Sequence, residues 1–300
     1  MSGPNIKFAY RAEAALVGLL IRLLRLFPPA LASRLGGAVA GAIGPLIPVS
    51  RVADQNLQRA MPELDRAARQ RTVRASWRNL GQTAAELVRI GDIHETSHGP
   101  GYEVVGWDEH VAPLLAKGGP CIFITGHVGN WEIIPPAAFA HGADIAFMYR
   151  AASNPLVNDM ILRLREANFG RKVLMFPKGS AGARAAYAHL AKGGTLGMLV
   201  DQKLDTGLSV PFFGRPAMTM DAMARFALKF RCPVFPLHVV RDAPARLRVI
   251  CEPAMPLPNT GDLAADRLAL TAEMNQMLER WIRERPGAWL WLHRRWPKGG

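Results

Sequence analysis

Residues 126–132 read Gly-His-Val-Gly-Asn-Trp-Glu, which sets an imidazole and a carboxylate five positions apart with one glycine before the histidine and another inside the interval. Five residues turn about 140° on an α-helix, so His127 and Glu132 cannot project from one helical face. They can meet if His127 sits in a strand-to-helix turn and Glu132 in the first turn of the helix. In that arrangement Gly126 and Gly129 let the backbone approach a substrate closely, and the helix N-terminus offers amide donors to a developing oxyanion. The chemistry this suits is general-base catalysis.

What must position such a turn can be read on either side of it. Short apolar, strand-like runs alternate with helical stretches from about Tyr102 onward: YEVVGW, CIFIT (121–125), ADIAFMY (143–149), KVLMF (172–176), LGMLV (196–200) and VFPLHVV (234–240); RLRVIC (246–251) reads as a further strand, before a closing helix over 262–285. The pattern predicts an α/β fold whose central sheet, mainly parallel or mixed, is flanked by helices. In such sheets the chemistry gathers beyond the carboxyl ends of the strands. Those positions hold His127, Asn130 and Glu132 after CIFIT, Arg150 and Asn154 after ADIAFMY, and Asp201 and Gln202 after LGMLV. A histidine, two acids and an arginine converging on one rim fit base chemistry on an anionic substrate. Upstream, residues 51–90 are helical in pattern, with Trp77, Leu80, Ala84, Leu87 and Val88 at core-facing spacing.

The first 50 residues differ in texture. Between residues 12 and 27 the sequence AEAALVGLLIRLLRLF is apolar but interrupted by Arg22 and Arg25. On a helix Lys7, Arg11, Gly18, Arg22 and Arg25 fall within a wedge of about 60°, and Leu16, Leu19, Leu20, Leu23 and Phe27 fill the rest. A basic stripe on a greasy helix is the pattern of an interfacial anchor on an anionic membrane. A tilted span with snorkelling arginines, a signal peptide cleaved near Ala30–Ala32, and an ordinary helix packed on its own domain are the alternatives. The expected organisation is a membrane-anchoring helical segment over 1–50 and an α/β domain over 51–300.

The chain has 300 residues, 49% of them hydrophobic, with 37 basic and 24 acidic side chains for a net charge of +13. That excludes a disordered chain or a disulfide-stapled miniprotein and points to acidic partners. Cys121, Cys232 and Cys251 are odd in number and sit in apolar runs, as buried reduced thiols do. His94–His98 spells HETSH, the literal zinc-peptidase pattern, and keeps a metallopeptidase as a minor reading. Glycines at 91, 99 and 101 and Pro100 leave no room for the long helix both ligands would need. A nucleic-acid binder would explain the charge and the tryptophan–arginine interleaving of 289–296, but no recognised nucleic-acid motif accompanies them.

GHVGNWE resembles the HxxxxD/E block of glycerolipid acyltransferases, and in this form is similar to the late acyltransferases of lipid A biosynthesis, the lauroyl or myristoyl transferase family. The resemblance continues through YRAASNP (149–155), VDQK (200–203), VPFFGRPAMT (210–219), CPVFPLHVVR (232–241) and WLWLHRRW (289–296), covering most of the chain from about Asn56. Ala151 stands where members often carry proline, and Gly287-Ala288 where Glu-Gln is commoner. The resemblance implies an O-acyltransferase without metal or cofactor, working at the cytoplasmic face of the inner membrane. It would move a fatty acyl chain from an acyl carrier protein thioester to a hydroxyl of a lipid A precursor, another glycolipid or a lysophospholipid. His127 would take the hydroxyl proton and Glu132 would orient the imidazole, with no nucleophilic serine needed; no GxSxG is present. Asn130, Arg150, Asn154, Asp201 and Gln202 would contact substrate: Arg150 by holding a phosphate or carboxylate-like oxygen, Asp201 by positioning the acceptor or a basic neighbour. A structural ion pair between Arg150 and Asp201 is the alternative.

Overall fold

The computed structural model describes residues 7–297. Four helices lead the chain: α1 (Phe8–Leu24), α2 (Pro29–Ile43), α3 (Ser50–Ala60) and α4 (Arg66–Leu87). Strands and helices then alternate as β1 (Gly101–Val105), α5 (Ala112–Leu115), β2 (Cys121–Thr125), α6 (Ile134–Ala140), β3 (Ile145–Tyr149), α7 (Pro155–Phe169), β4 (Met175–Pro177), α8 (Ser180–Ala191) and β5 (Thr195–Leu199). A ribbon of β6 (Lys203–Phe212) and β7 (Arg215–Thr219) precedes α9 (Ala222–Phe230), β8 (Val234–Ala243), β9 (Arg246–Cys251) and α10 (Leu263–Glu284).

Seven strands form one sheet in the order β1-β9-β8-β2-β5-β3-β4, parallel throughout except for the β8–β9 pair, while β6 and β7 form a separate antiparallel ribbon. The α/β architecture is the one the apolar runs predict. Every residue of β2 is buried, as expected for a central strand covered on both faces. One apolar core, with Leu57, Leu190, Phe212, Leu278 and the three tryptophans of 289–296, fills one side of the sheet; a second, with Ile90, Trp107, Phe123, Ile133 and Phe235, fills the other.

One expectation is corrected in part. Trp77 and Leu87 pack against the core and Val88 is buried as expected, but Ala84 is exposed, and the inward face of α4 also carries buried Ser76, Asn79, Gln82, Thr83 and Glu86. The segment His94–His98 is extended and bent, as its glycines and proline predict, and Glu95 hydrogen-bonds His141. The three cysteines are free and buried.

In the N-terminal layer, α2 meets α4 so closely that a Cβ on Gly36 would lie 2.6 Å from the Gly81 carbonyl oxygen. Asn154, the N-cap of α7, ties α1 down by donating to the Tyr10 carbonyl and the Glu13 carboxylate, both at 2.9 Å. No residue of α1 is fully buried, and no single helix among the described residues is long and apolar enough to cross a membrane. The helix pair Pro29–Leu46 and Ser50–Ala60 passes that test only jointly, across an 85° bend.

Candidate active site

The parallel register builds the site. Thr125 of β2 pairs with Leu199 of β5, so His127 and Asp201 each lie two residues beyond a matched pair and emerge side by side. The Asp201 carboxylate receives three hydrogen bonds: His127 Nδ1 lies 2.8 Å from Oδ1, while the His127 amide (2.9 Å) and the Trp289 indole (2.7 Å) donate to Oδ2. Burial alone would raise the Asp201 pKa, but the His127 imidazole, its amide and the Trp289 indole hold it well below the usual carboxylate range. With Nδ1–H committed to an ionised carboxylate, the His127 Nε2 lone pair is available to a substrate proton. The His127 ring is held edge-on by Trp131 at 4.8 Å between centroids.

The turn carrying His127 is clamped from three directions. Gly129 has φ +63°, and a Cβ there would fall 2.0 Å from the Val239 carbonyl oxygen, so no other residue fits. Its own carbonyl accepts from Asn79 Nδ2 (2.9 Å) and Thr83 Oγ1 (3.1 Å) of α4. Residues 288–290 complete the clamp, with the Gly129 amide donating to the Ala288 carbonyl and the Leu290 amide to the His127 carbonyl. Beneath lies Glu86, fully buried, whose carboxylate accepts from Ser33, Asn130, Arg241 and the Ala245 amide. Asn130 in turn accepts from the Glu132 amide at 3.0 Å, so the chain from Glu86 to the turn is continuous.

The expected pairing of Glu132 with His127 is corrected. Glu132 is gripped by Arg165 of α7, with Nε at 3.0 Å from one oxygen and a terminal nitrogen at 2.6 Å from the other, and by the Trp131 indole. The histidine's partner is Asp201, the "basic neighbour" of Asp201 is His127, and no Arg150–Asp201 ion pair is present among the described residues. At the N-terminus of the following helix the Glu132 amide donates to Asn130 Oδ1. Asn130 is fully buried and Asn154 caps α7, so both shape the site from below instead of facing a ligand. Arg150 and Gln202 do reach the cleft.

That cleft, about 570 Å³, opens over His127 and is lined by Glu132, Tyr149, Arg150, Lys178, Gln202, Leu290 and His293 among others. Lys178 follows β4 in register with β3, its amide bonding to the Tyr149 carbonyl, which brings its ammonium near Arg150. Burial and that neighbouring guanidinium lower its pKa. His293 touches Gln202 at 3.1 Å, and burial, reinforced by His127, lowers its pKa as well. Trp131, Glu132, Met148, Tyr149, Arg165, Met198 and Leu199 also line a second, narrow apolar slot, which continues between the sheet and α6–α7 past Phe123, Ile134, Phe147, Phe169 and Gly197. A polar mouth with a basic pair on one side of His127–Glu132 and a hydrocarbon-lined slot on the other suits an amphiphile.

Arg165, Trp289 and His293 escaped assignment from sequence, while Lys178 was legible only as a position just beyond the KVLMF run, without a role. Trp289 and His293 lie in WLWLHRRW, a block conspicuous for its composition, but nothing in spacing told which of its residues would turn inward. A sequence model of the family described as bacterial lipid A biosynthesis acyltransferase matches residues 5–298, so it also covers the helices that precede Asn56. No curated protein matches the chain. With a family match over nearly its whole length, the chain belongs to the bacterial lipid A biosynthesis acyltransferase family.

Proposed function

We propose that the protein transfers a fatty acyl chain from an acyl carrier protein thioester to a hydroxyl of a lipid A precursor at the cytoplasmic face of the inner membrane. The observation that carries this reading is the His127–Asp201 pair at a polar cleft that shares its Trp131–Glu132 wall with an apolar slot. The acyl chain occupies the slot and its thioester carbonyl lies over His127. The acceptor hydroxyl enters from the cleft, where Arg150 and Lys178 supply positive charge for an acceptor phosphate.

Nε2 of His127 removes the hydroxyl proton as the oxygen attacks the carbonyl carbon, and Asp201 stabilises the imidazolium through Nδ1–H. Collapse of the tetrahedral adduct breaks the carbon–sulfur bond, and the imidazolium proton passes to the departing sulfur. Ester and free carrier thiol leave, and His127 is again neutral. Glu132, held by Arg165, forms the wall shared by cleft and slot, where it fixes Trp131 and thereby the His127 ring.

The apolar outward faces of α1 and α2 support work at a membrane, since Leu16, Leu19, Leu20 and Leu23 are exposed beside the basic stripe. A net charge of +13 steers an acidic carrier protein. The test is product mass after incubation with acyl carrier thioesters and defined acceptors. One added acyl group on a tetra-acylated lipid A precursor is expected. Acylation of lysophospholipid alone would overturn the acceptor, and equal rates from coenzyme A thioesters at all salt concentrations would remove the carrier protein.

A further inference from the structure

Away from the catalytic cleft, a cavity among the N-terminal helices combines charge and hydrocarbon in its walls. Helix α2 turns Leu31, Leu35, Val39 and Ile43 outward at four-residue spacing, and Leu46, in the turn that follows, is 82% exposed. This row ends at a cleft of about 680 Å³ between the 45–50 turn, α3 and the first half of α4. Its lip is Pro45, Leu46, Ile47 and Pro48; its walls carry Arg51, Arg66, Arg69 and Arg74. Asp54 is the single carboxylate in the lining and is taken by Arg69 at 2.9 Å. Arg51, Arg66 and Arg74 enter no ion pair among the described residues, so three cations share one concave surface without a counter-charge. Like charges gathered in a concavity repel one another and focus a field that attracts anions.

We infer that this cleft is a binding site for the phosphate headgroup of an anionic membrane lipid, with Leu46 and Ile47 inserted beside it among the acyl chains. The inference deepens the membrane-surface part of the proposed function and rests on it, while being independent of the acyl-transfer chemistry. The apolar lip decides between two acidic partners. A soluble acidic protein would neutralise the arginines but leave the α2 row and Leu46 in water, whereas a bilayer satisfies both at once. The site is also distinct from the basic stripe of α1, because the cleft lies at the far end of α2, on α3 and α4.

The experiment is flotation of the full chain with vesicles of phosphatidylcholine alone and of phosphatidylcholine containing phosphatidylglycerol, across a salt series. Arg51→Glu with Arg74→Glu is compared with Arg225→Glu with Lys229→Glu, an equal charge change at exposed positions of α9. The cleft pair is expected to lose about tenfold or more in affinity for the anionic vesicles, an effect shrinking at high salt, with binding to neutral vesicles retained. The α9 pair is expected to lose much less. Leu46→Asp is expected to weaken binding to both vesicle types. Equal losses from the two charge reversals would reduce the effect to net charge and overturn the site, as would unchanged binding by the cleft pair. If the cleft pair instead raised KM for the carrier thioester with vesicle binding intact, the cleft would dock the donor and the proposal would fall. Vesicle binding is read without turnover, so failure of lipid A acylation would leave this result untouched.

Discussion

Helices α2 and α4 pack against each other, and both invert the ordinary amphipathic pattern in opposite senses. On α4 the buried face is polar, with Asn79, Thr83 and Glu86 turned inward; on α2 the exposed face is apolar, with Leu31, Leu35, Val39 and Ile43 turned outward. A buried polar face is costly unless every group is partnered, and here Asn79 and Thr83 hold the Gly129 carbonyl while Glu86 holds Asn130. An exposed apolar row costs solubility and marks a surface meant to be covered. One inversion is satisfied inside the chain by the 129–130 turn, and the other leaves an apolar row open at the surface.

The comparison breaks most sharply at the catalytic turn. Asp201→Asn and His127→Ala are expected to reduce kcat by about two to four orders of magnitude, with the folded state retained by circular dichroism. Glu132→Gln should cost less than Asp201→Asn, since it does not touch the imidazole. A larger loss from Glu132→Gln would reinstate Glu132 as the histidine's partner.

The two inverted faces should then respond oppositely to a single change. Glu86→Gln leaves the Arg241 guanidinium without its buried counter-charge and is expected to destabilise by roughly 3 kcal/mol in urea unfolding. Leu35→Ser on α2 should shift stability by no more than about 0.5 kcal/mol while lowering vesicle affinity. Equal stability losses would mean that α2's outer face is covered within the folded chain.

A smaller effect is expected in the slot, where a Cβ on Gly197 would lie 2.5 Å from the Phe147 ring. Gly197→Ala therefore pushes that ring into the slot and should shift the product mass distribution toward shorter acyl chains. An unchanged distribution would take the chain out of this slot.

The smallest effect concerns His238, stacked on Trp281 at 4.7 Å between centroids. Burial, followed by Arg248 and Arg285, pushes its pKa down to about 4. Between pH 6.5 and 4 the unfolded chain therefore binds the proton that the folded one refuses, so stability falls as pH falls through that window and is indifferent to this group above it. Glu252, 3.5 Å away, is the one carboxylate facing it. His238→Gln should flatten the acid slope by up to one proton in urea unfolding at pH 7, 5.5 and 4.5; an identical slope would show that other groups set it.

The parts of this molecule legible in sequence are those whose signal is local. Strand β2 coincides with CIFIT because that apolar run is continuous and sharply bounded, and β9 with RLRVIC, where arginines alternate with buried apolar residues. The ribbon β6–β7 was not read as strands, since Lys203–Ser209 is half-exposed and polar and carries no such run. His127 was legible from its glycines, but its partner was misassigned to the carboxylate five residues on. The true partner is 74 residues away and is brought in by sheet order, which spacing along the chain does not encode. On α4 the apolar periodicity finds Trp77 and Leu87 but not the buried polar residues beside them, because Asn79, Thr83 and Glu86 look solvated until the turn they hold is in place.

The stitching of residues 286–296 into the first third of the chain bears on how the enzyme is born. Asn56 donates to the carbonyls of Trp291 (2.8 Å) and His293 (2.6 Å), and Ser76 to that of Trp289 (2.6 Å). Such long-range closures form late in folding. On the ribosome, α3 and α4 wait exposed for more than 200 residues of synthesis before these strands of backbone arrive. Until then Asp201 lacks its indole donor and the cleft lacks its Leu290–His293 wall. The site is therefore completed by the last part of the chain to be made, and every earlier length of the polypeptide lacks both the indole that holds Asp201 and one wall of the cleft.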